Sequence, residues 1–181
     1  MKAVIDRNKS IGKVLYVLEG EHPEFNLLIE IFSSVLEYEQ IDMEEKIEKC
    51  VQFRHKENRY SNVFVVKSNR TDIKGVDLND EYFDNLHRVL VEEYGFDVDN
   101  MAIYYVFDRD RKSNKPIDIT NAIDRYKNSR SNDNEMNGLL LLSYPSIESF
   151  VTMIHGYEEY FYNAKDAKNY CNMNRLLRKK K

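Results

Sequence analysis

MAIYYVFDRDR, residues 101–111, is the stretch around which the rest of the chain is organised. Its first part is apolar at nearly every position, without the alternation of a half-exposed strand. This pattern is typical of a strand that is buried on both faces of a parallel sheet. The run then breaks into Asp108 and Asp110, so both acids are expected just beyond the carboxyl end of the strand. Open α/β sheets form their ligand-binding crevice at that edge.

A second stretch, KVLYVLEGE at residues 13–21, repeats this plan, because an apolar run is followed at once by Glu19 and Glu21. Apolar runs at 61–67 and 138–142 predict two further strands. Apolar residues at helical spacing predict helices in the segments 23–38, 42–53, 80–95, 117–128, 146–155 and 157–181. Strands and helices therefore alternate along most of the chain.

This alternation predicts an α/β fold of three layers, Rossmann-like, with a central, mostly parallel four-stranded sheet and helices on both faces. Residues 1–12 form a polar leader, 13–155 the α/β domain, and 156–181 a C-terminal helical extension with a basic tail. In a strand order such as 2-1-3-4, the first and third strands are neighbours. That order would place Glu19 beside Asp108 at the switch point of the sheet.

The composition indicates a folded domain and excludes several classes of protein. The chain has 181 residues, of which 42% are apolar, and this is enough for one hydrophobic core. The net charge of −4 gives no global attraction to nucleic acid, so such contacts would need local basic patches. Cys50 and Cys171 form no zinc or disulfide pattern, which fits a reducing cytoplasm. No apolar stretch approaches the roughly 20 residues that cross a bilayer.

Carboxylates delivered by different strand ends are the ligands that Mg²⁺ and Mn²⁺ prefer. Asp108 and Asp110 point to the same side of an extended segment because one residue separates them. Glu19 could reach the same ion from the neighbouring strand, and Glu148 could join from the rim beside the fourth strand. A cation would also relieve the repulsion between these acids. The pattern predicts a divalent-metal site.

Such a site would support phosphodiester chemistry, since the ion polarises the phosphate and lowers the pKa of a bound water. Four basic residues beside the acids are candidates for phosphate binding: Arg109, Arg111, Lys112 and Lys115. Glu21 and His22 are candidates for an accessory acid or base. The simpler interpretation is that the acids only end two strands and face solvent. Likewise, the aromatic residues at 157–162 would serve helix packing rather than base stacking.

The motifs together resemble the TOPRIM domain, which topoisomerases, DnaG-type primases, ribosomal-RNA maturases and the overcoming-lysogenization-defect nucleases share. The resemblance lies in the order of an apolar strand ending in EGE at 19–21 and a later one ending in DxD at 108–110. The S-x-P-x-x-E form at 143–148 is similar to the nuclease branch found in bacterial defence systems. Topoisomerases usually show DxDxxGE, whereas Arg111, Lys112 and Ser113 follow Asp110 here, so strand passage is disfavoured.

The resemblance implies that Glu19 acts as the acid/base or metal-side residue and that Asp108 and Asp110 bind Mg²⁺, with Glu148 as a further ligand. It implies a Mg²⁺-dependent nuclease that cleaves DNA or RNA, in phage defence or mobile-element biology. The nuclease branch commonly works with an ATPase. This sequence carries no ATPase motif, so the ATPase would be a separate protein.

Two alternatives stay open at this stage. The first is a non-catalytic module of the same fold that binds nucleic acid or a partner protein through the basic loop and tail. The second is a response-receiver or phosphatase-like domain, which also gathers acids at strand ends but places its nucleophilic Asp after a different strand. The oligomeric state is open as well, and a homo-oligomer is compatible with the sequence.

Overall fold

The computed structural model describes residues 11–19, 22–36, 38–41, 50–68, 85–86, 88–95, 101–109, 114–129, 138–157, 160–174 and 176. Residues 1–10 of the predicted leader at 1–12, and the end of the basic tail at 177–181, lie outside these ranges. Residues 69–84, which precede the helical residues 85–86, also lie outside the described ranges.

A six-stranded mixed sheet forms the centre of the fold. Its strands are β1 (Lys13–Leu18), β2 (Glu39–Ile41), β3 (Cys50–Arg54), β4 (Asn62–Lys67), β5 (Ala102–Asp108) and β6 (Leu139–Ser143). The order across the sheet is β2-β3-β4-β1-β5-β6. The four predicted strands are β4, β1, β5 and β6, and they run parallel to one another. The α/β class is therefore confirmed, and β1 and β5 are neighbours.

The prediction of a mostly parallel, four-stranded sheet is wrong, because β2 and β3 add two antiparallel strands beside β4. The helix predicted over 42–53 is wrong from Cys50 onward, where β3 begins, and residues 42–49 lie outside the described ranges. Phe53 of β3 is fully buried, and its ring centroid is 5.5 Å from that of Phe32. Packing against this ring and pairing with β4 favour a strand over the helix that the apolar spacing suggests.

The helices are shorter than the sequence predicts. They are α1 (His22–Glu30), which continues as π-helical Ile31–Val35, a second π-helical segment (Val89–Glu93), α2 (Pro116–Arg125), α3 (Ile147–Ile154) and α4 (Ala164–Asn174). As predicted, Gly95 follows the end of its helix with a φ of +58°, and its N–H donates to the Val91 carbonyl. The continuous helix predicted from residue 157 is wrong, because residues 160–163 are not helical. Within the described ranges, every helix is too short or too polar to cross a membrane.

Two hydrophobic clusters lie on opposite faces of the sheet, as the alternation of side chains along a strand requires. On one face, Leu15 and Val17 of β1 pack with Ala122 and Tyr126, at the end of α2. On the other face, Val14 and Leu18 pack with residues of α1 and of the π-helical segment that follows it. A third cluster joins α1, α3 and α4 through residues that include Leu27, Ile147, Val151 and Cys171. Thus α3 and α4 are held against the carboxyl end of the sheet.

We expect Gly138→Ala to destabilise the protein by about 1–3 kcal/mol, the usual cost of overpacking. A Cβ at Gly138 would lie 2.7 Å from Cε2 of Tyr105 and 2.8 Å from the Ile103 carbonyl oxygen. The backbone oxygen cannot move aside without disturbing β5. Urea unfolding measures the free energy, with Asn121→Ala on the exposed face of α2 as the control, expected within about 0.5 kcal/mol of wild type. Equal stabilities would contradict this close packing.

Candidate active site

Glu19 and Asp108 meet at the carboxyl edge of the sheet because β1 and β5 are parallel neighbours. The Glu19 N–H donates to the Val106 carbonyl at 3.0 Å, which extends the pairing of the two strands by one residue. The Glu19 side chain then turns towards β5, and its Oε2 accepts a hydrogen bond of 2.7 Å from the Asp108 N–H. The Glu19 carboxylate therefore reaches the backbone of Asp108 across the ends of the two strands.

The Asp108 carboxylate is oriented by two donors from the next strand and helix. Ser143 lies opposite Asp108 in the register of β5 and β6, and its hydroxyl donates to Asp108 Oδ1. The same oxygen accepts a hydrogen bond of 3.0 Å from the N–H of Ile147, the first residue of α3. Asp108 thus lies at a helix N-terminus, where the partial positive charge favours a carboxylate. Both of these contacts, within the described part of the chain, are made by Oδ1.

Glu148, the second residue of α3, lies deeper in the protein than the sequence suggests. Its side chain is only 5% exposed, and its Oε2 has no hydrogen-bond partner among the described residues. The Cys171 thiol donates to the Glu148 carbonyl at 3.5 Å, so α4 covers this part of the site. Burial raises the pKa of the Cys171 thiol to about 11, and the Glu148 charge adds to this effect. Cys171 therefore stays a neutral thiol near pH 7 and is not a nucleophile.

Glu24, in the first turn of α1, is a further acid of this site that sequence reasoning missed. It is only 6% exposed. Burial raises the pKa of Glu24 to about 8, a backbone hydrogen bond opposes the shift, and the charges of Asp108, Glu19 and Glu148 raise it further. The interaction of Glu24 with all three acids shows that they share one region of negative potential. The sequence could have indicated Glu24 by its position, because it lies five residues after Glu19, in the helical turn that begins at the same edge of the sheet.

Carboxylate oxygens are the ligands that hard divalent cations require, and the site meets this chemical demand. The buried Glu148 Oε2, which lacks a partner within the described part of the chain, is the kind of atom that a cation would satisfy. Even so, no three His, Cys, Asp or Glu side chains among the described residues are grouped closely enough to hold a metal ion.

An open cavity of about 730 Å³ lies directly above Glu19 and Asp108. The start of α4 and the residues before it also line the cavity, among them Tyr162, Lys165 and Lys168. Arg109 also lines the cavity, and its guanidinium carbon lies 5.4 Å from the centroid of the Tyr144 ring. Two acids and three basic residues thus line the same cavity, a combination suited to an anionic ligand with a bound cation.

The other predicted site residues have different outcomes. Asp110, Glu21, Arg111 and Lys112 lie outside the described residues, and only the backbone of His22 is described, at the start of α1. Lys115 is exposed immediately before α2 and is not among the residues that line the cavity. Arg109 is the one described member of the predicted phosphate-binding group that lines it.

Lys165 and Lys168 supply the remaining positive charge, and sequence reasoning missed them as well. Their spacing of three residues places both on one face of α4. The sequence offered this spacing as a signal, but only the packing of α4 against α3 brings that face to the acids.

Comparisons of the chain with protein-family models, with curated proteins and with solved structures found no match.

Proposed function

We propose that this protein is a Mg²⁺- or Mn²⁺-dependent nuclease with a TOPRIM-like core that cleaves phosphodiester bonds of DNA or RNA. One observation carries the proposal: the Glu19 carboxylate accepts a hydrogen bond from the Asp108 N–H at 2.7 Å, in a cavity that Arg109, Lys165 and Lys168 also line. Two acids from separate strands thus lie together where a phosphate could approach between cations.

The architecture supports the same proposal. The parallel strands lie in the order β4-β1-β5-β6, which is the order 2-1-3-4 for the four parallel strands. Consequently Glu19 and Asp108, the first residues of the EGE and DxD segments, follow adjacent parallel strands. The additional strands β2 and β3 lie beyond β4, away from Asp108. They extend the sheet without changing the edge that carries the acids.

The proposed roles follow from the contacts of each residue. Asp108, fixed by Ser143 and Ile147, would hold the cation together with Asp110, and Glu148 would add a buried oxygen. When bound, the ion would polarise the phosphodiester and lower the pKa of an attacking water. Glu19, whose Oε2 accepts the Asp108 N–H, would act as the acid or base or lie beside the metal. Arg109, Lys165 and Lys168 would bind flanking phosphates.

A cleavage assay tests this proposal. The purified chain is incubated with circular duplex DNA, single-stranded DNA and RNA, in Mg²⁺, Mn²⁺ or EDTA. We expect strand breakage in at least one substrate with a divalent cation and none in EDTA. If every substrate stays intact in all conditions, also with added ATP and host extract to supply a partner ATPase, the nuclease proposal is rejected.

Binding of Mn²⁺ provides a second test that does not depend on turnover. A cation held at about 100 times its dissociation constant stabilises the folded state by about 2.7 kcal/mol. For a chain of this size we expect the melting temperature at pH 8 to rise by roughly 5–10 °C. Differential scanning fluorimetry measures the shift, and K⁺ at equal ionic strength is the control. An equal response to both salts would argue against a metal site.

A non-catalytic module that binds nucleic acid is the second candidate. The observation in its favour is that the described acids do not by themselves form a group of three metal ligands. The basic residues that line the cavity, Arg109, Lys165 and Lys168, would bind nucleic acid equally well without catalysis. Salt-dependent binding of nucleic acid without cleavage in any divalent metal would favour this candidate over the nuclease.

A further inference from the structure

An aromatic groove, partly formed by α3, lies beside the cavity at Glu19 and Asp108, which we call the acid cavity. We define the aromatic groove by its exposed members Tyr144, Phe150, Met153, Tyr160 and Tyr162, which line a cavity of about 430 Å³. Tyr144 and Tyr162 line both this groove and the acid cavity, so the two are adjacent. The volume lies within the range that holds small organic groups.

The rings of this groove are unusually exposed for their size. Tyr160 is 81% exposed and Tyr162 is 91% exposed, and Phe150 and Met153 are about half exposed. Leaving large rings in water forgoes the free energy of their burial, and a contiguous exposed apolar surface commonly marks a binding site. The exposure of this cluster therefore indicates a ligand-binding surface.

The segment that presents these rings is anchored by its neighbours. Phe161 stacks on Tyr157 with a centroid distance of 4.9 Å, and Tyr157 contacts Tyr170 of α4 at 4.3 Å. The aromatic residues at 157–162 thus divide into two groups. Tyr157 and Phe161 serve the packing expected from the sequence, whereas Tyr160 and Tyr162, on either side of Phe161, are presented to solvent.

We propose that the aromatic groove binds the unpaired bases of a single-stranded nucleic acid whose phosphates lie along Arg109, Lys165 and Lys168. The inference rests on the proposed nuclease function and specifies its substrate class. Alternating cationic and aromatic side chains are how proteins bind single strands, since each base can stack on a ring while the backbone follows the positive charge. Bases inside a duplex are stacked on each other and cannot lie flat on these rings.

Charge complementarity favours this occupant over an apolar one. The three basic residues line the acid cavity, which shares Tyr144 and Tyr162 with the groove, and Arg109 itself lies against the Tyr144 ring. A strand that runs from the groove into the cavity would therefore bring a phosphodiester to Glu19 and Asp108. DNA and RNA share this chemistry, and the binding experiment distinguishes them.

Fluorescence anisotropy in EDTA, where no cleavage occurs, tests the inference. Labelled oligonucleotides of about 12 nucleotides are compared as single-stranded DNA, single-stranded RNA, duplex DNA and a single strand with abasic sites. We expect at least one single strand to bind at least about 10-fold more tightly than the duplex and the abasic strand. Equal affinity for all four probes would overturn the proposal.

The double variant Y160A/Y162A should weaken binding of the single strand by at least about 10-fold, given the cost of losing a stacking partner. Both side chains are exposed, so the fold should be retained, and an unchanged melting temperature verifies this. Tyr60→Ala is the matched control, because Tyr60 is 82% exposed but lies just before β4. It is therefore at the amino ends of the parallel strands, whereas the acids are at their carboxyl ends. Equal binding by the double variant and wild type would overturn the proposal.

The two proposals fail in different ways. Selective binding of single strands in EDTA without cleavage in Mg²⁺ would reject the nuclease and retain the aromatic groove as a binding site. Cleavage in Mg²⁺ that does not respond to Y160A/Y162A, with equal binding of single strands and duplex, would retain the nuclease and reject the groove.

Discussion

Asp108→Asn should lower divalent-metal-dependent cleavage by at least about 100-fold, since even partners outside the metal's own ligand shell cost 10- to 100-fold when removed. Asn retains an oxygen that can accept the hydrogen bonds from Ser143 and the Ile147 N–H. The start of α3 should therefore stay in place. The negative charge that we propose to hold a cation beside Glu19 is lost. Initial cleavage rates in Mg²⁺ and Mn²⁺ measure the effect.

The control for this prediction is Asp124→Asn, which removes the same charge from the exposed face of α2. We expect its cleavage rate to lie within about twofold of wild type, because exposed charges interact weakly with a distant site. The melting temperature of Asp108→Asn should stay within a few degrees of wild type, which separates lost chemistry from lost structure. Cleavage by Asp108→Asn at the wild-type rate would show that Asp108 is not part of the reaction.

Glu24→Gln should make the protein more stable at pH 8.5 and leave its stability nearly unchanged at pH 4.5. Burial, with neighbouring carboxylates, raises the pKa of Glu24 from 4.5 to about 8 in the folded state. Between these values the folded chain retains a proton that the unfolded chain has released. The free energy of unfolding of wild type therefore falls as pH rises through this window, by roughly 2–5 kcal/mol from this group. Gln carries no charge and avoids this loss.

Urea unfolding in EDTA at pH 4.5 and 8.5 measures the difference between Glu24→Gln and wild type. Glu30→Gln is the matched control, because Glu30 ends the same helix but is exposed. We expect this control to change stability by less than about 0.5 kcal/mol at either pH. A gain for Glu24→Gln that is the same at both pH values would contradict the pH dependence. Adding Mn²⁺ should reduce the gain at pH 8.5, since a nearby cation favours ionised Glu24.

Sequence reasoning located the four parallel strands but missed the antiparallel pair. The strands β1, β4, β5 and β6 each contain a dense apolar run that only a buried strand explains. In contrast, the apolar residues near Cys50 also fit a helical period, and β2 has only three residues. Whether such segments become strands depends on the partner that they meet. Here the edge of β4 and the Phe32 ring supply that partner.

The candidate site shows the same division. Glu19 and Asp108 were recognisable because they directly follow apolar runs, so their place at a strand end is a local property. Glu24 follows no such run and resembles an ordinary acid in the first turn of a helix. Lys165 and Lys168 are 57 and 60 residues beyond Asp108 in the chain, and no local pattern connects them to it. Their positions relative to the acids depend on the packing of α1, α3 and α4.

By itself, the sequence determined that this chain builds an α/β sheet and delivers acids to the carboxyl ends of two parallel strands. The physical reason is that burial on both faces requires an uninterrupted apolar run, and the acids mark where the run meets solvent. Only the tertiary structure decided that β1 and β5 are neighbours, that Glu24 is buried among other acids, and that α4 brings its lysines over the cavity. These features depend on contacts between residues that are distant in the chain, which no local periodicity encodes.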